Sequence, residues 1–331
     1  MSESRAVVVH NPLKMSPARL ARALAREESR AGWAASRLVA TAPEESTDSL
    51  RERILAEPAD VVIAVGGDGT VRATVEAVIG QSLPLGLWPV GTTNLAARNL
   101  GLSMLDPGAA LRAAFGTVER AVDVGRLTAD LTDGRRLRKV FVVLAGFGVD
   151  AQMVVHTSMA MKRQFGWLAY VDGVRRGVTR SDRFELTYSL DRAEPRAVRA
   201  HTFAIGNGGS LPAGLTLLPD AVIDDGELDV LLLRPEGASG WRDLARWFFT
   251  ENGLVQRIRR TNGHRSDVPR GESVLMARTQ EVRLTVRHGE DFQIDGEYLG
   301  KVVALRVVVM PGALRVRVPS IRSDSGPVDR R

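Results

Sequence analysis

The sequence predicts an α/β fold: a doubly wound α/β domain first, then a β-rich domain. Three observations lead to this prediction. Short apolar runs alternate with helical patterns over the first third of the chain. The run Val61–Val65 is wholly apolar, as in a parallel strand that is covered on both faces. After about Phe115 strand-like runs dominate, and 331 residues are too many for one small core.

The elements of the first third follow one another as strand, helix, strand and helix. Ser16 is placed to cap the first helix, with Pro17 at its first position. The helix after the fourth strand is predicted to open at Asn94. The predicted strands are Arg5–His10, Ser36–Ala40, Val61–Val65 and Leu85–Trp88, and the next two helices are Thr47–Leu55 and Val71–Ile79.

The remaining two thirds are predicted to be mostly strands, interrupted by helical stretches at Met159–Arg176 and Trp241–Ile258. The polar segment 320–331 is predicted to be a disordered tail. We therefore expect a first domain over 1–121, a β-rich domain over 122–302, and final strands over 303–319 that return to the first domain. The strand-like runs include Val140–Ala145, Leu228–Leu233, Val282–Val286, Val302–Val309 and Leu314–Val318.

Composition excludes several classes of site and of protein. The chain has no cysteine, which excludes disulfides, zinc–thiolate sites and cysteine nucleophiles. No stretch approaches the ~20 apolar residues of a membrane span, and the first residues do not resemble a signal peptide, so a cytoplasmic location is expected. The net charge of +6 fits either attraction to anionic membranes and phosphates or a scattered solvated surface.

A glycine-rich loop follows the apolar strand Val61–Val65 directly. Glycines at a strand-to-helix turn let backbone amides approach a phosphate closely. Asp68 cannot bind a phosphate, but it is able to hold Mg²⁺ or orient an attacking hydroxyl. A plain turn in which Asp68 caps the next helix is the alternative. The loop consists of Gly66, Gly67, Asp68, Gly69 and Thr70.

A second loop of the same kind follows the strand Leu85–Trp88, and it contains Gly91, Thr92 and Asn94. Adjacent parallel strands place both loops at one edge of the sheet, where sheets of this type bind ligands. Two phosphate-type loops favour a nucleotide site over a plain turn. Neither loop is a Walker motif or a G-x-G-x-x-G fingerprint.

With these two loops and several further segments, the sequence resembles the diacylglycerol kinase catalytic-domain family, which includes bacterial lipid kinases, sphingosine kinase and ceramide kinase. NAD kinase is a more distant relative. The resemblance implies an N-terminal doubly wound α/β nucleotide-binding domain and a C-terminal β-sandwich-like domain, with ATP in the cleft between them. The segments that carry it are Asn11-Pro12, GGDGT at 66–70, PLGLWPVGTTNLAARNLGL at 84–102, GFGVDA at 146–151, PDAVIDDGELDV at 219–230 and IDGE at 294–297.

The resemblance also implies roles for individual residues. Glu297 is the implied general base, and Asp68 and Asp295 complete the catalytic group. Taken alone, Asp295-Gly296 is a hairpin signal. Asp68 and Asp225 are the implied Mg²⁺ ligands, although an acidic run such as 224–229 is more often a solvated turn. The implied nucleotide contacts are Asn11, Gly66, Gly67, Gly69, Thr70, Gly91, Thr92 and Asn94.

The activity implied by the resemblance is transfer of the γ-phosphate of ATP, with Mg²⁺, to a lipid hydroxyl. Diacylglycerol at the membrane surface is the expected substrate. The alternative acceptors are another lipid alcohol and NAD. The alternative of another class is a non-catalytic protein that binds a nucleotide or a lipid. No nucleic-acid module is recognisable, and a homodimer is a reasonable expectation. Without a membrane span, docking to the membrane is expected to be reversible.

Several residues depart from the family pattern. Leu13-Lys14-Met15 stands where many members have x-Ser-Gly, and Thr93 replaces a glycine. Leu95-Ala96 replaces Asp-Phe, and Arg72-Ala73 replaces the common Asn-Glu pair after the first loop. Two aromatic and basic segments, Lys162–Arg176 and Trp241–Arg260, are candidates either for core packing or for contact with a lipid surface.

Overall fold

The computed structural model describes residues 3–148, 183–212, 216–244 and 273–320, except 238, 241 and 243. It confirms the predicted mixed α/β class. Within these residues, no helix has the length and apolar character needed to span a membrane. One mixed sheet of 14 strands runs through the described residues.

The first part of the chain forms the parallel end of this sheet. The strands pair as neighbours in the order β4, β3, β1 and β2, and all three pairings are parallel. The carboxyl ends of β1, β3 and β4 therefore meet at one edge. The elements are β1 (Ala6–His10), α1 (Pro17–Ala31), β2 (Arg37–Ala40), α2 (Thr47–Leu55), β3 (Val61–Gly66), α3 (Asp68–Val78), β4 (Leu85–Pro89), α4 (Leu95–Asn99) and α5 (Pro107–Ala114).

Local signals explain where these helices begin and end. Ser16 occupies the N-cap position of α1 but makes no side-chain cap bond, and Pro17 is the first residue, as predicted. The helix ends at Gly32, whose φ of 69° lies in the left-handed region that glycine adopts without strain. Helix α2 spans the predicted residues, and the Ser46 hydroxyl accepts a 3.1 Å hydrogen bond from the Ser49 amide.

Among its described residues, the second part of the chain is antiparallel and consists mostly of strands. Its core is rich in aromatic side chains, with Phe141, Phe147, Phe203 and Phe292 fully buried. Strand β11 has the predicted bounds. The strands are β5 (Glu119–Leu131), β6 (Arg136–Phe141), β7 (Leu144–Phe147), β8 (Phe184–Leu190), β9 (Arg196–Ala200), β10 (Thr202–Gly206), β11 (Leu228–Leu233), β12 (Val274–Thr279), β13 (Glu281–Ile294) and β14 (Glu297–Arg317).

Strand β14 connects the two parts of the sheet, whose main path has the order β12-β11-β10-β7-β13-β14-β4-β3-β1-β2. Its first half pairs with β13, and Val316 pairs in parallel with Leu85 of β4. The two final strands predicted at Val302–Val309 and Leu314–Val318 are thus one strand, with an irregular register between Met310 and Leu314. The domain bounds predicted from the sequence remain predictions.

Two further element predictions were wrong. The apolar run Val140–Ala145 is not one strand, because β6 ends at Phe141 and β7 begins at Leu144. Helix α3 begins at Asp68, three residues before the predicted start, because the glycine loop runs straight into the helix. Several predicted segments lie outside the described residues. They are the helix Met159–Arg176, residues 245–258 of the second helical stretch and residues 321–331 of the tail. The aromatic and basic segment Lys162–Arg176 and most of the segment Trp241–Arg260 lie outside them as well.

Candidate active site

The two glycine loops touch at the carboxyl edge of the parallel strands. A β-carbon on Gly91 would lie 2.6 Å from the Gly67 α-carbon, so only glycine permits this approach. The Val90 amide also donates a 3.0 Å hydrogen bond to the Gly66 carbonyl. The structure thus brings together the loops that the sequence placed about 25 residues apart.

Thr70 and Asn94 shape these loops from the inside. The Thr70 side chain is buried against Gly66, where a β-carbon would collide with it. Asn94 is buried with a φ of 49°, and its side chain bonds both the amide and the carbonyl of Gly91, at 3.1 and 2.7 Å. Asparagine tolerates this left-handed backbone, so Asn94 closes its loop like a turn residue. Both side chains are therefore engaged in holding the loops.

Asp68 projects from the first loop toward the start of the second loop's helix. Its Oδ1 accepts a 2.5 Å hydrogen bond from the Leu95 amide, so it caps α4 rather than its own helix α3. Burial and, second to it, the negative charge of Asp295 together raise the pKa of Asp68 to about 7, against the lowering effect of the backbone amides of residues 94–96. Asp68 is thus a carboxylate whose charge would be stabilised by a nearby cation.

Asp295 lies beneath this group and is fully engaged with the backbone. Its carboxylate accepts hydrogen bonds of 2.8, 2.9 and 3.0 Å from the amides of Val142, Val143 and Leu144. Val142 and Val143 form the break between β6 and β7, and Leu144 is the first residue of β7, so the carboxylate satisfies the amides at this irregular point of the sheet. Burial raises the pKa of Asp295, and the three amides act in the opposite direction. The geometry makes Asp295 a support for the site.

Glu297 begins β14 and reaches the glycine loop. A β-carbon on Gly69 would collide with Oε1 of Glu297, so this carboxylate lies directly over the loop. Its Oε2 accepts a hydrogen bond from Nη2 of Arg72. The structure therefore brings Asp68, Asp295 and Glu297 to one site, although more than 200 residues separate the first from the other two.

Arg72 is the site residue that the sequence did not assign. It stood out only because it departs from the family's Asn-Glu pair. Burial lowers the pKa of Arg72, but the Glu297 and Glu76 carboxylates more than compensate, so the net pKa is raised and the guanidinium stays charged. Its place beside Glu297 depends on a long-range contact that no local pattern reveals.

A cavity of about 340 Å³ opens next to the second loop. Trp88 and Met15 contribute apolar walls. Three cationic side chains, Lys14, Arg19 and Arg98, line it together with Gly91, Thr92 and Asn94. A flat apolar wall beside several cations suits a base attached to phosphates.

Asn11 lies at the same edge, at the end of β1, but its side chain is engaged locally. Its side-chain Oδ1 accepts a 2.9 Å hydrogen bond from the Leu13 backbone amide. Its backbone N–H donates a 3.3 Å hydrogen bond to the Val65 carbonyl. Asn11 thus links β1 to β3 beside the loops.

Asp225 lies in the turn that precedes β11. Its Oδ1 accepts a 3.1 Å hydrogen bond from the Glu227 amide, while Asp224 pairs with Arg120. In the described part of the chain, no three histidine, aspartate or glutamate side chains converge as a metal site would require. The Mg²⁺ role of Asp225 stays a prediction.

Comparison with known families gives two matches that together cover most of the chain. The model of the diacylglycerol kinase catalytic domain matches residues 5–127. The model of the YegS C-terminal NAD kinase beta sandwich-like domain matches residues 142–249. These matches agree with the two parts of the fold.

Relatives of similar length support the same assignment. A Pseudomonas aeruginosa protein named "Probable lipid kinase YegS-like" is 31% identical over 308 residues, which cover 89% of this chain and 90% of its own. A Bacillus subtilis diacylglycerol kinase is 26% identical over 304 residues, with coverage of 89% and 90%. A crystal structure of a diacylglycerol kinase from Bacillus anthracis has a TM-score of 0.65 at 16% identity, covers 96% of this chain and 97% of its own, and shows the likeness of fold.

Proposed function

The chain belongs to the lipid kinase family that joins a diacylglycerol kinase catalytic domain to a YegS-type C-terminal domain, and from this premise we propose that it transfers the γ-phosphate of ATP to the hydroxyl of diacylglycerol. The observation that carries the proposal is the meeting of Asp68 and Glu297 at the Gly69 loop. A phosphate loop and two carboxylates are the parts that phosphoryl transfer needs.

ATP use is supported by the two glycine loops and the adjacent cavity. The amides at Gly66, Gly67 and Gly69 would cradle the phosphates. The cationic side chains of the cavity would balance the remaining negative charge.

The charges around Asp68 fit a divalent cation. Burial and the Asp295 carboxylate both raise the pKa of Asp68, which is the effect that a bound cation would reverse. Asp68 would hold Mg²⁺, and the ion when bound supplies neutralisation of the phosphate charge. A role for Asp225 at a separate structural Mg²⁺ is part of the same proposal.

Glu297 would act as the general base. Its carboxylate would take the proton of the lipid hydroxyl as the hydroxyl oxygen forms its bond to the γ-phosphorus. The bond from that phosphorus to the bridging oxygen breaks, and ADP leaves with the electron pair. Asp295 touches no reacting atom in this proposal, and it acts by fixing the backbone beneath Asp68 and Glu297.

The similarity to the Bacillus subtilis diacylglycerol kinase supports diacylglycerol as the acceptor. Such a lipid resides in a membrane, so the protein would act at the membrane surface from the cytoplasm and bind there reversibly. The net charge of +6 supports binding to anionic lipid.

The deciding experiment is phosphoryl transfer from γ-labelled ATP with Mg²⁺. Mixed micelles would present diacylglycerol, a sphingoid base or ceramide, and NAD would be offered in a parallel soluble reaction. Asp68→Ala and Glu297→Gln are the test variants, and Asp48→Asn on the surface of α2 is the matched control.

Label in phosphatidic acid that is lost in both test variants and kept in the control is the expected result. Label in another lipid, or in NAD, would retain the mechanism and replace the substrate. ATP binding with no transfer to any acceptor would overturn the kinase proposal in favour of a nucleotide-binding protein.

A further inference from the structure

Arg72 lies between a buried carboxylate and a carboxylate of the candidate active site. Its Nη1 donates a 3.0 Å hydrogen bond to Glu76, and its Nη2 donates to Glu297. The Arg72 side chain is 13% exposed, whereas that of Glu297 is 46% exposed. The arginine is therefore the fixed member of the pair, and Glu297 is the member that would otherwise sample several rotamers.

Glu76 holds the arginine in turn. Its carboxylate is buried and accepts hydrogen bonds from the Thr47 hydroxyl at 3.2 Å, the Lys139 ammonium at 3.1 Å and the Val140 amide at 3.3 Å. These donors come from α2 and β6, so three elements, including α3 itself, fix one carboxylate. A buried group with this many partners is a rigid anchor.

We infer that Arg72 is a positioning residue, which holds the Glu297 carboxylate over the Gly69 loop through the chain of contacts Glu76–Arg72–Glu297. This inference rests on the proposed function, in which Glu297 is the base. Arg72 is the fifth residue of α3, which begins within the glycine loop, so the device comes from this chain's own sequence. A base whose rotamer is set in advance is close to its reacting geometry in every turnover.

The first test measures the position of Glu297 without any substrate. A water-soluble carbodiimide with an amine labels accessible carboxylates, and mass spectrometry assigns the label to Glu297. We expect Arg72→Gln to increase the labelling rate of Glu297 several-fold, and Arg72→Lys to give an intermediate rate. Arg136→Gln, which removes an exposed ion pair with Asp130 and none of the contacts of Glu76, Arg72 or Glu297, is the control and should change nothing.

Circular dichroism would establish that each variant is folded. If Arg72→Gln does not fold, Glu76→Gln serves as the second variant, because it weakens the anchor and leaves the arginine in place. Labelling of Glu297 that is unchanged in the folded variant would overturn the inference.

The second test is a double-mutant cycle on phosphoryl transfer. Arg72→Gln should lower kcat on the order of 10- to 100-fold with the KM for ATP within about twofold. In the Glu297→Gln background the same change should have no further effect, because Arg72 acts through Glu297. Partial rescue by Arg72→Lys is expected, since the charge is retained and the two-pronged contact is lost.

The outcomes separate the inference from the proposed function. Additive effects in the cycle, or a rise in kcat on removal of Arg72, would overturn the positioning role even if the enzyme is a lipid kinase. If the wild-type protein transfers phosphate to no acceptor, the proposed function fails, while the labelling experiment still decides whether Arg72 holds Glu297.

Discussion

The Glu297 carboxylate occupies the space next to Gly69 in which a side chain at that position would lie. Gly69 is the second residue of α3, and Glu297 is the first residue of β14. Glycine within a helix costs roughly 1 kcal/mol relative to alanine. The close approach of the carboxylate gives a physical reason for glycine here.

This contact predicts the effect of Gly69→Ala. The methyl group would push Glu297 away from the loop while leaving the helix intact, so kcat should fall on the order of 10- to 100-fold without loss of stability. Steady-state kinetics and urea denaturation test both parts. Gly108→Ala in the first turn of α5, where only flexible side-chain ends lie nearby, is the matched control and should leave kcat unchanged. A fully active Gly69→Ala enzyme would contradict the role of Glu297.

Asp295→Ala should destabilise the protein strongly. It removes the acceptor for the amides of Val142, Val143 and Leu144, which lie at and directly after the break between β6 and β7. Because these buried amides would be left without an acceptor, we expect the free energy of unfolding to fall by about 3 kcal/mol or more. Urea denaturation measures this loss, and Asp291→Ala at an exposed position of β13 provides the comparison. A loss as small as that of the control would mean that water or a shifted backbone replaces the carboxylate.

The cationic cavity predicts selective loss of ATP affinity. Replacing Lys14 or Arg19 with alanine should weaken ATP binding by about 3- to 10-fold each, because each removes one charge from the cavity wall. Isothermal calorimetry with ATP and with adenosine separates phosphate contacts from base contacts, and adenosine binding should not change. Arg22→Ala is the control, because Arg22 lies on α1 with Arg19 but does not line the cavity. Equal losses for adenosine would place the phosphates elsewhere.

Glu281 predicts a pH-dependent contribution to stability. Hydrogen bonds from Arg306 and Arg283 lower the pKa of Glu281 to about 2. A carboxylate whose pKa is lower in the folded state stabilises the fold above its unfolded pKa, and this contribution is lost as the pH falls from about 4.5 toward about 2.

Glu281→Gln should therefore cost about 1 kcal/mol near pH 7, and the difference from wild type should shrink progressively below about pH 4.5. Urea midpoints measured across this range test the trend. Glu52→Gln, at an exposed position of α2, should show little effect at any pH. If the difference in urea midpoint between wild type and Glu281→Gln were the same at every pH, the ion pairs of Glu281 would make no pH-dependent contribution to stability.

Local patterns were sufficient for most of the parallel end of the sheet. Helix α2 and, in the antiparallel part, strand β11 have the predicted bounds, because Ser46 caps the helix and the strand is apolar except for Asp229. The nearness of the two glycine loops also followed from the order of parallel strands. These features depend on residues that are close together in sequence or on a general rule of sheet topology.

Other features depend on contacts between distant residues and could not be read from a local pattern. The break inside Val140–Ala145 is invisible in an apolar run, because its cause is the carboxylate of Asp295 about 150 residues away. The role of Arg72 depends in the same way on Glu297 and Glu76. The resemblance to a family pointed to Glu297, yet only the fold brings its carboxylate to Gly69.

Strand β14 starts at Glu297 and ends beside the parallel strands of the first part of the chain, at the pairing of Val316 with Leu85. The two halves of this protein are therefore not exchangeable modules. A chimaera that took one half from a relative would have to divide this strand between parents, and a single inserted residue within it would reverse which side chains face inward. Recombination between members of such a family should accordingly be tolerated in surface turns and rejected along β14.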